Sequence, residues 1–443
     1  MTKYLHEIRD PVHVFVYLDS TERAVLDSRP FQRLRHVHQL ALTCLVYPGA
    51  THKRFEHSLG VMELATRVYD RVTKHEHLSD AIRDLLPQTA DEDALRYWRR
   101  VLRVAALCHD LGHLPFSHAA EGWLLPEGWD HEKLTTAIIY SDEMAAIWGS
   151  MTPPLRADDI VKLAVGPKKA SDISFSDWEA ILAEIITGDA FGVDRIDYLL
   201  RDSHHAGVAY GRFDHYRLID TLKILTPPPV PGEGDESREP MLGVEEGGLH
   251  SAEALLLARY FMYSQLYCHP IRRIYDIHLR DFLMSWLPEG KFSTDIQAHL
   301  GLTDNEIMTA ILSAALDPAA NGFEPARRIV NREHFRVLYQ RNPDDILKNL
   351  AAAETIHLAA AAQFGEENVR FDSYTQKGGA PDFPVWTRDG RIVSSLSISQ
   401  VLNNVPVAAD AYVFVEPRLR EEAEGWLKEN RESILSSEGE ELG

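Results

Sequence analysis

The sequence predicts a mainly α protein with a small α+β subdomain at its C-terminal end. In most segments before residue 330, apolar residues recur at three- and four-residue spacing, which is the period of an amphipathic helix. Beyond that point, several short stretches are rich in β-branched and aromatic residues, which is typical of strands. We therefore expect a helical core, 1–330, and an α+β subdomain with a charged tail, 331–443.

The elements follow in chain order from the same patterns. Residues 6–18 alternate loosely, which predicts a short strand or a hairpin. Helices are predicted at 20–40, 55–73, 94–109, 131–147, 157–165, 176–188, 194–204, 214–224, 250–285 with a bend at Pro270, 303–316 and 343–363. The segment 227–240 is rich in Pro and Gly, so residues 226–248 are expected to form a hairpin or loop insert. Short strands are expected near 334–340, 367–373, 383–387, 391–399 and 411–416.

Composition disfavours several classes of protein. The net charge of −21, from 46 basic and 67 acidic residues, argues against non-specific nucleic-acid binding, which needs a broad basic surface. No apolar run approaches the ~20 residues of a membrane-spanning helix, and the N-terminus does not resemble a signal peptide. Three scattered cysteines do not make a disulfide framework, so we expect reduced thiols in a cytoplasmic protein.

Four side chains indicate a metal centre. His109 and Asp110 are adjacent at the end of an apolar helix, His57 lies upstream in R-F-E-H-S-L-G, and Asp194 lies downstream in F-G-V-D-R-I-D-Y. Two imidazoles and two carboxylates suit a divalent ion such as Mn, Fe, Mg or Zn. Such an ion polarises phosphoryl oxygen and generates a nucleophilic water near neutral pH. The sequence therefore predicts a metal-dependent phosphohydrolase.

The predicted helix that contains Asp194 has one polar face. At spacings of three and four residues this face carries Asp194, Asp197, Tyr198, Arg201 and Asp202. The opposite face is apolar. This arrangement predicts that the polar face lines a cleft, and the alternative is an exposed face of salt bridges.

Three more histidines follow the His-Asp pair, namely His113, His118 and His131. Histidine titrates near neutral pH, so one of them near a leaving group could act as a general acid. We assign this role to His131, in W-D-H-E. His118 is expected to orient a ligand or to contact phosphate, and a purely structural role is the alternative for both residues.

Cationic and aromatic side chains could bind a polyphosphate and its base. Arg54 is three residues from His57, and Arg195 follows Asp194. Arginine makes bidentate contacts to phosphate oxygens, and tyrosine can stack on a base. A stripe at four-residue spacing consists of Arg259, Tyr263 and Tyr267. For Arg272 and Arg273 we expect surface salt bridges.

Long runs of the sequence resemble the HD-domain phosphohydrolases, and within them the deoxynucleoside-triphosphate (dNTP) triphosphohydrolases. The runs span about residues 8–270 and include D-P-V-H, F-Q-R-L-R-H-V-H-Q-L, Y-P-G-A-T-H-K-R-F-E-H-S-L-G-V, L-C-H-D-L-G-H-L-P-F-S-H, W-D-H-E and V-D-R-I-D-Y-L-L-R-D-S-H-H-A-G. The resemblance implies an HD-domain helical core. It also implies hydrolysis of a dNTP to deoxynucleoside and inorganic triphosphate by attack of a metal-activated water on the α-phosphorus.

The resemblance also implies roles for individual residues. It makes His57, His109, Asp110 and Asp194 the metal ligands and His131 the catalytic histidine, with His113 and His118 near the phosphates. Substrate contacts are implied for Arg54, Gln39, Leu40, Arg195, Tyr198, Asp202, Arg259 and Tyr267. Two positions depart from the family pattern: Arg195 replaces a lysine, and Cys268 replaces a glutamine next to the tyrosine.

In the same family a guanine nucleotide activates the enzyme and promotes assembly of a homo-oligomer, a dimer or tetramer. The matching positions here are Asp27, Gln32 and Arg35, and packing of their helix is the alternative explanation.

Two other functions stay open. One is a related activity of the same site, as a nuclease, nucleotidase or cyclic-nucleotide phosphodiesterase. The other is a nucleotide sensor in a defence system.

Overall fold

The computed structural model describes residues 5–117, 124–170, 172–228, 239–375 and 380–436. The prediction of a mainly α protein is confirmed. The α-helices are Ser20–Asp27, Arg29–Arg33, Arg54–Val72, Asp80–Leu85, Glu92–Cys108, His131–Ile139, Asp142–Ser150, Ala157–Val165, Asp177–Thr187, Val193–Ala206, His215–Thr221, Leu249–Met262, Pro270–Trp286, Ile296–Leu300, Asp304–Ala314, Phe323–Val330, Pro343–Ile346, Ala352–Phe364, Ser395–Ile398, Gln400–Asn403 and Arg420–Ser436. None of the helices in these ranges has both the length and the apolar character of a membrane span.

In the described ranges the strands form three sheets. An N-terminal hairpin pairs His6–Asp10 with Val14–Leu18. A second sheet has the order Leu222–Leu225, Met241–Glu245, Pro384–Trp386 and Ile392–Ser394. Its first strand corrects the predicted helix 214–224, which ends at Thr221 because Leu222–Leu225 pairs with Met241–Glu245. The third sheet is antiparallel and has the order Arg336–Gln340, Ala409–Val415 and Val369–Thr375.

The chain divides into two compact units. The first comprises 1–259, 292–305 and 380–405, and the second comprises 260–291, 306–379 and 406–443. The predicted boundary after residue 330 differs from this division for two physical reasons. Strand Pro384–Trp386 pairs in parallel with Met241–Glu245, which assigns it to the first unit. Ile274 and Ile277 of helix Pro270–Trp286 pack with Phe335, Tyr412 and Phe414, which assigns that helix to the second.

Several predicted helices are shorter because a capping residue interrupts them. Ser28 ends the first helix of the predicted 20–40 segment, and its hydroxyl accepts a hydrogen bond from Phe31 N at the start of the next. The predicted bend at Pro270 is a break, since a π-helical turn, Tyr263–Tyr267, precedes it and His269 caps a new helix. The predicted strand 391–399 ends at Ser394, where a short helix begins.

Two helices form the centre of the first unit. In helix Glu92–Cys108 every residue from Val101 to Cys108 is buried, and this helix packs against Arg54–Val72. The facing residues of Arg54–Val72 include Val61, Leu64 and Val68, which are fully buried. Full burial of such a side chain contributes about 1.5–3 kcal/mol, so these helices form a rigid support for the residues at their ends.

Helix Val193–Ala206 packs on the same support through a glycine. A Cβ atom at Gly60 would lie 1.9 Å from Asp197 Oδ1 and 2.4 Å from the Arg201 guanidinium. Any larger residue would therefore push the two helices apart. Because His57 lies one helical turn before Gly60, this close approach also sets the distance between His57 and the polar face that begins at Asp194.

Candidate metal centre

The structure brings the four predicted metal ligands together. His57 lies in the first turn of helix Arg54–Val72, His109 caps the end of Glu92–Cys108, and Asp194 is the second residue of Val193–Ala206. One ligand atom from each of His57, His109 and Asp110 lies within 4.8 Å of the others. Asp194 Oδ1 lies 3.0 Å from His57 Nε2 and 3.5 Å from His109 Nε2.

The hydrogen bonds of His109 direct one nitrogen to this centre. His109 Nδ1 lies 2.8 Å from the carbonyl oxygen of Ala106, and a carbonyl only accepts, so Nδ1 carries the proton. His109 Nε2 carries the lone pair when the imidazole is neutral. Burial lowers the pKa of this ring, but Asp110 and Asp194 outweigh it and raise the pKa, so a cation would displace a proton here. The Nε2 atom is buried, has no partner in hydrogen-bonding geometry, and lies 3.2 Å from Asp110 Oδ1. A buried imidazole nitrogen in this state is suited to bind a cation.

His57 is oriented in the same way by a carboxylate. Its Nδ1 donates to Asp197 Oδ2 at 2.8 Å, which turns Nε2 towards Asp194 and Asp110. A carboxylate behind a histidine fixes the ring and raises its basicity in many metal sites. The polar face had predicted that Asp197 lines an open cleft. For this residue the prediction is wrong, because Asp197 is buried and lies behind His57.

A buried network holds Asp197 in place. Arg201 donates to both of its oxygens, at 2.8 and 3.0 Å, and His13 Nε2 lies 2.6 Å from Asp197 Oδ1. Arg201 also donates to Asp10 Oδ2 at 2.8 Å. The pattern of residues along the chain did not predict these bonds. The signal was present in the D-P-V-H run, because its Asp10 and His13 both reach the network.

The charges of the centre are strongly coupled. Burial lowers the pKa of His57, but hydrogen bonds to Asp194 and Asp197 outweigh it and raise this pKa to about 10. Burial would raise the pKa of Asp110, yet Arg54 and His109 hold it well below its usual range. Ionised carboxylates beside basic imidazoles concentrate negative potential at one point, where a divalent cation would compete with protons.

Arg54 is directed towards Asp110. Its Nη1 donates to Asp110 Oδ2 at 2.5 Å, and its Nε donates to Ser117 Oγ at 2.8 Å. The guanidinium therefore fixes the Asp110 carboxylate and the loop after it. Its predicted contact with phosphate stays a prediction.

Two of the three additional histidines form a stacked pair beside Asp110. His113 Nε2 lies 3.2 Å from Asp110 Oδ1, and its ring stacks on His131 with centroids 4.0 Å apart. Burial, with the charges of Arg54 and His131, holds the pKa of His113 well below its usual range. A neutral His113 is a poor proton donor, which favours His131 as the acid. His118 lies outside the described residues.

His131 also has a carboxylate partner that the sequence analysis missed. His131 Nδ1 lies 3.3 Å from Glu132 Oε2, and Lys169 Nζ lies 2.9 Å from the other oxygen of Glu132. The helix that begins at His131 reaches the centre because Gly112 has no side chain. A Cβ atom there would lie 2.1 Å from the carbonyl oxygen of His131.

The other predicted substrate residues of the first unit occupy several environments. Asp202 is buried, and its Oδ1 lies 2.7 Å from His52 Nε2, while Gln39 N donates to the His52 carbonyl at 3.0 Å. Tyr198 is half-buried, Leu40 is buried, and Arg195 donates to the carbonyl oxygens of Gly188 and Asp189. Arg259 is the last residue of the segment 1–259, which belongs to this unit.

In the second unit, Tyr263 and Tyr267 lie in the π-helical turn with ring centroids 5.1 Å apart. The surface salt bridges expected for Arg272 and Arg273 are largely buried. Arg272 is only 9% exposed and pairs with Asp276, and Arg273 makes a bidentate contact with Asp372. The reason is that both arginines join elements of the second unit, since Arg272 also donates to the carbonyl oxygen of Tyr267 and Asp372 lies in strand Val369–Thr375.

The residues predicted to bind an activating nucleotide already contact their neighbours. Arg35 Nε donates to Gln32 Oε1 at 2.9 Å, and its guanidinium lies 3.5 Å from the Phe55 ring centroid. Asp27 pairs with Arg23 at the surface. These contacts are of the kind expected from simple packing, and nucleotide binding here stays a prediction.

Comparison with known proteins agrees with this geometry. The HD domain family matches residues 54–202, and the HD associated region matches residues 213–368. The chain belongs to the HD-domain family. Its HD domain contains His57, His109, Asp110 and Asp194, and HD domains bind divalent metals, so the donor set and the family agree on a cation.

The relatives of this HD-domain chain include named enzymes and uncharacterized proteins. It is 28% identical over 368 residues to the deoxynucleoside triphosphate triphosphohydrolase SAMHD1 of Homo sapiens. This alignment covers 75% of this chain and 54% of the human protein. It is 34% identical over 277 residues to the uncharacterized protein YwfO of Bacillus subtilis. That alignment covers 62% of this chain and 54% of YwfO. The chain thus spans about half the length of the curated relatives it matches.

A solved structure is similar over nearly the whole chain. The crystal structure of a hypothetical protein from Aquifex aeolicus matches with a TM-score of 0.76 and 30% identity. The match covers 96% of this chain and all of that one.

Replacement of Asp197 tests the orientation of His57. Asp197→Asn removes the charge that fixes the ring, so we expect Mn²⁺ to bind about 10–100-fold more weakly. Competition with a chelating dye measures this affinity, and circular dichroism monitors the fold. The matched control is Asp220→Asn, an exposed aspartate of the same unit. Unchanged affinity in a folded Asp197→Asn protein would show that the carboxylate does not support the centre.

Proposed function

We propose that this protein is a metal-dependent phosphohydrolase that cleaves deoxynucleoside triphosphates to deoxynucleoside and inorganic triphosphate. The observation that carries the proposal is the convergence of the His57 and His109 imidazoles with the Asp110 and Asp194 carboxylates, of which Asp194 is partly exposed and the other three are buried. Relatives named as deoxynucleoside triphosphate triphosphohydrolases, which align with three quarters of this chain, support the choice of substrate.

The proposed ligands are His57, His109, Asp110 and Asp194, and they suit Mn, Fe, Mg or Zn. When bound, such a cation would polarise a phosphoryl oxygen and lower the pKa of a water molecule. The protein's own contribution is to hold these donors in fixed positions. Asp197 holds His57, the Ala106 carbonyl holds His109, and Arg54 holds Asp110.

His131 is the proposed general acid. Its proton would go to the 5′-oxygen that leaves the α-phosphorus, so the deoxynucleoside departs as a neutral alcohol. The Glu132 carboxylate lies 3.3 Å from His131 Nδ1 and favours the protonated ring by its charge, and the stacked His113 ring restricts rotation of His131. Neutral His113 places its one N–H beside the Asp110 carboxylate, so it orients that carboxylate and contributes no proton to the reaction.

The substrate side is proposed from the family resemblance together with the geometry. Arg54, bonded to Asp110, and Arg195, next to Asp194 in the chain, would supply the positive charge that phosphoryl transfer requires for charge stabilisation. Asp202 and Tyr198 are proposed to read the sugar. The net charge of −21 favours a small nucleotide over a nucleic-acid polymer, because a polymer needs a broad basic surface.

Product analysis tests the proposal directly. The protein is incubated with each dNTP and Mn²⁺ or Mg²⁺, with and without GTP, and the products are separated by ion-exchange chromatography. We expect deoxynucleoside and triphosphate in equal amounts, and no turnover by Asp110→Ala. Release of single phosphates, or cleavage only of single-stranded DNA or cyclic nucleotides, would contradict the proposed reaction. It would favour a different phosphohydrolase activity of the same centre.

The acid role of His131 predicts a separation of rate from metal binding. For His131→Ala we expect a kcat lower by about 10²–10⁴-fold, because a general acid contributes about this factor, with Mn²⁺ content unchanged. Glu132→Gln should lower kcat less, since the ring keeps its nitrogen but loses its charged partner. His75→Ala, an exposed histidine, is the control. A kcat within a factor of two of wild type for His131→Ala would exclude this residue as the acid.

A further inference from the structure

The loop after the His-Asp pair has a strained backbone. Phe116 and Ser117 have φ values of 55° and 47°, a region that residues with a side chain rarely occupy. Such conformations cost about 1–3 kcal/mol each and persist only where the surroundings enforce them. The loop carries His113 and leads directly to residue 118. Its shape therefore needs an external constraint.

Asp304 supplies such a constraint from outside the HD domain itself. Its side chain is 1% exposed, and its Oδ1 accepts a hydrogen bond from Phe116 N at 2.8 Å. The next residue is held as well, since Ser117 Oγ accepts from Arg54 Nε at 2.8 Å. Each of the two strained residues thus has a charged partner, a carboxylate for Phe116 and a guanidinium for Ser117.

The same carboxylate holds a second segment. Asp304 Oδ2 accepts from His38 N at 2.8 Å and lies 2.6 Å from His38 Nδ1. Because a carboxylate only accepts, the His38 proton is on Nδ1, and His38 Nε2 accepts from Lys53 Nζ at 2.5 Å. His38 immediately precedes Gln39 and Leu40, the predicted sugar and base contacts.

We propose that Asp304 is a positioning residue that keeps the segment 38–40 and the loop 113–117 in register around the substrate. One carboxylate binds three donors from two segments, and through His38 it also reaches Lys53, the residue before Arg54. No single residue of the HD domain makes these bonds, since Asp304 belongs to the HD associated region. The nature of the substrate rests on the proposed function, whereas the effect on the two segments does not.

Two substitutions of Asp304 should have graded effects. Asp304→Asn keeps an oxygen for Phe116 N but places an NH₂ group against the two donors of His38, so it should loosen mainly the segment 38–40. Asp304→Ala removes all three bonds and should loosen both segments. The metal ligands keep their own partners, since Asp197 holds His57, the Ala106 carbonyl holds His109 and Arg54 holds Asp110. The loosened segments carry proposed substrate contacts, so KM should rise about tenfold or more, with a smaller change in kcat.

Hydrogen exchange read by mass spectrometry tests the structural part without any substrate. We expect faster exchange in peptides covering 38–45 and 111–117, unchanged exchange elsewhere, and unchanged Mn²⁺ content. His38→Gln, which removes only the ring contact, should affect 38–45 alone and decides the question if Asp304→Ala does not fold. The matched control is Asp295→Asn, which caps the preceding helix by a bond to Ala298 N.

Unchanged exchange in both segments, or a uniform increase over the whole chain, would overturn the proposal, because the second result marks a general loss of stability. A rise in KM equal to that of Asp295→Asn would overturn it as well. If the wild-type protein does not hydrolyse dNTPs, the proposed function fails, and the exchange of the two segments still decides the role of Asp304.

Discussion

The hydrogen bond from His57 Nδ1 to the Asp197 carboxylate determines which nitrogen of His57 faces the other three predicted ligands. The rest of the centre is arranged around this bond. Arg201 neutralises Asp197, Asp10 neutralises Arg201, and His13 completes the set, all in buried positions. A buried charge without a partner is strongly destabilising, so each member of this chain of charges requires the next. The N-terminal hairpin therefore helps to hold the candidate metal centre through Asp10 and His13, although it contributes no predicted ligand.

The centre also requires that neighbouring helices approach each other closely at two glycines. Gly60 allows the Asp194 helix to reach the His57 helix, and Gly112 allows the His131 helix to reach the loop that follows Asp110. Both glycines lie in ordinary helical or turn positions and are needed for space and not for a left-handed backbone. The centre thus depends on small residues beside the functional ones, as well as on the functional ones themselves.

The sequence predicted much of this arrangement and missed the parts that depend on long-range contacts. The His-Asp pair, His57 and Asp194 carry their chemistry in their residue type and local runs, so their convergence could be inferred. The buried role of Asp197 could not be inferred, because a residue three positions after Asp194 can equally line a cleft or lie on a packed face of the helix. His52 and Asp304 act through partners that are distant in sequence, whereas Glu132 adjoins His131 in the W-D-H-E run and could have been recognised there. In the same way, strand Pro384–Trp386 joins a hairpin some 140 residues upstream, and no local pattern reports that pairing.

We expect one divalent cation to bind between His57, His109, Asp110 and Asp194. Anomalous diffraction from crystals grown with Mn²⁺ is the decisive measurement. A single strong peak should lie within coordination distance of His57 Nε2, His109 Nε2 and one oxygen of each carboxylate. A peak elsewhere, or one that His57 or Asp194 does not contact, would rule out this site.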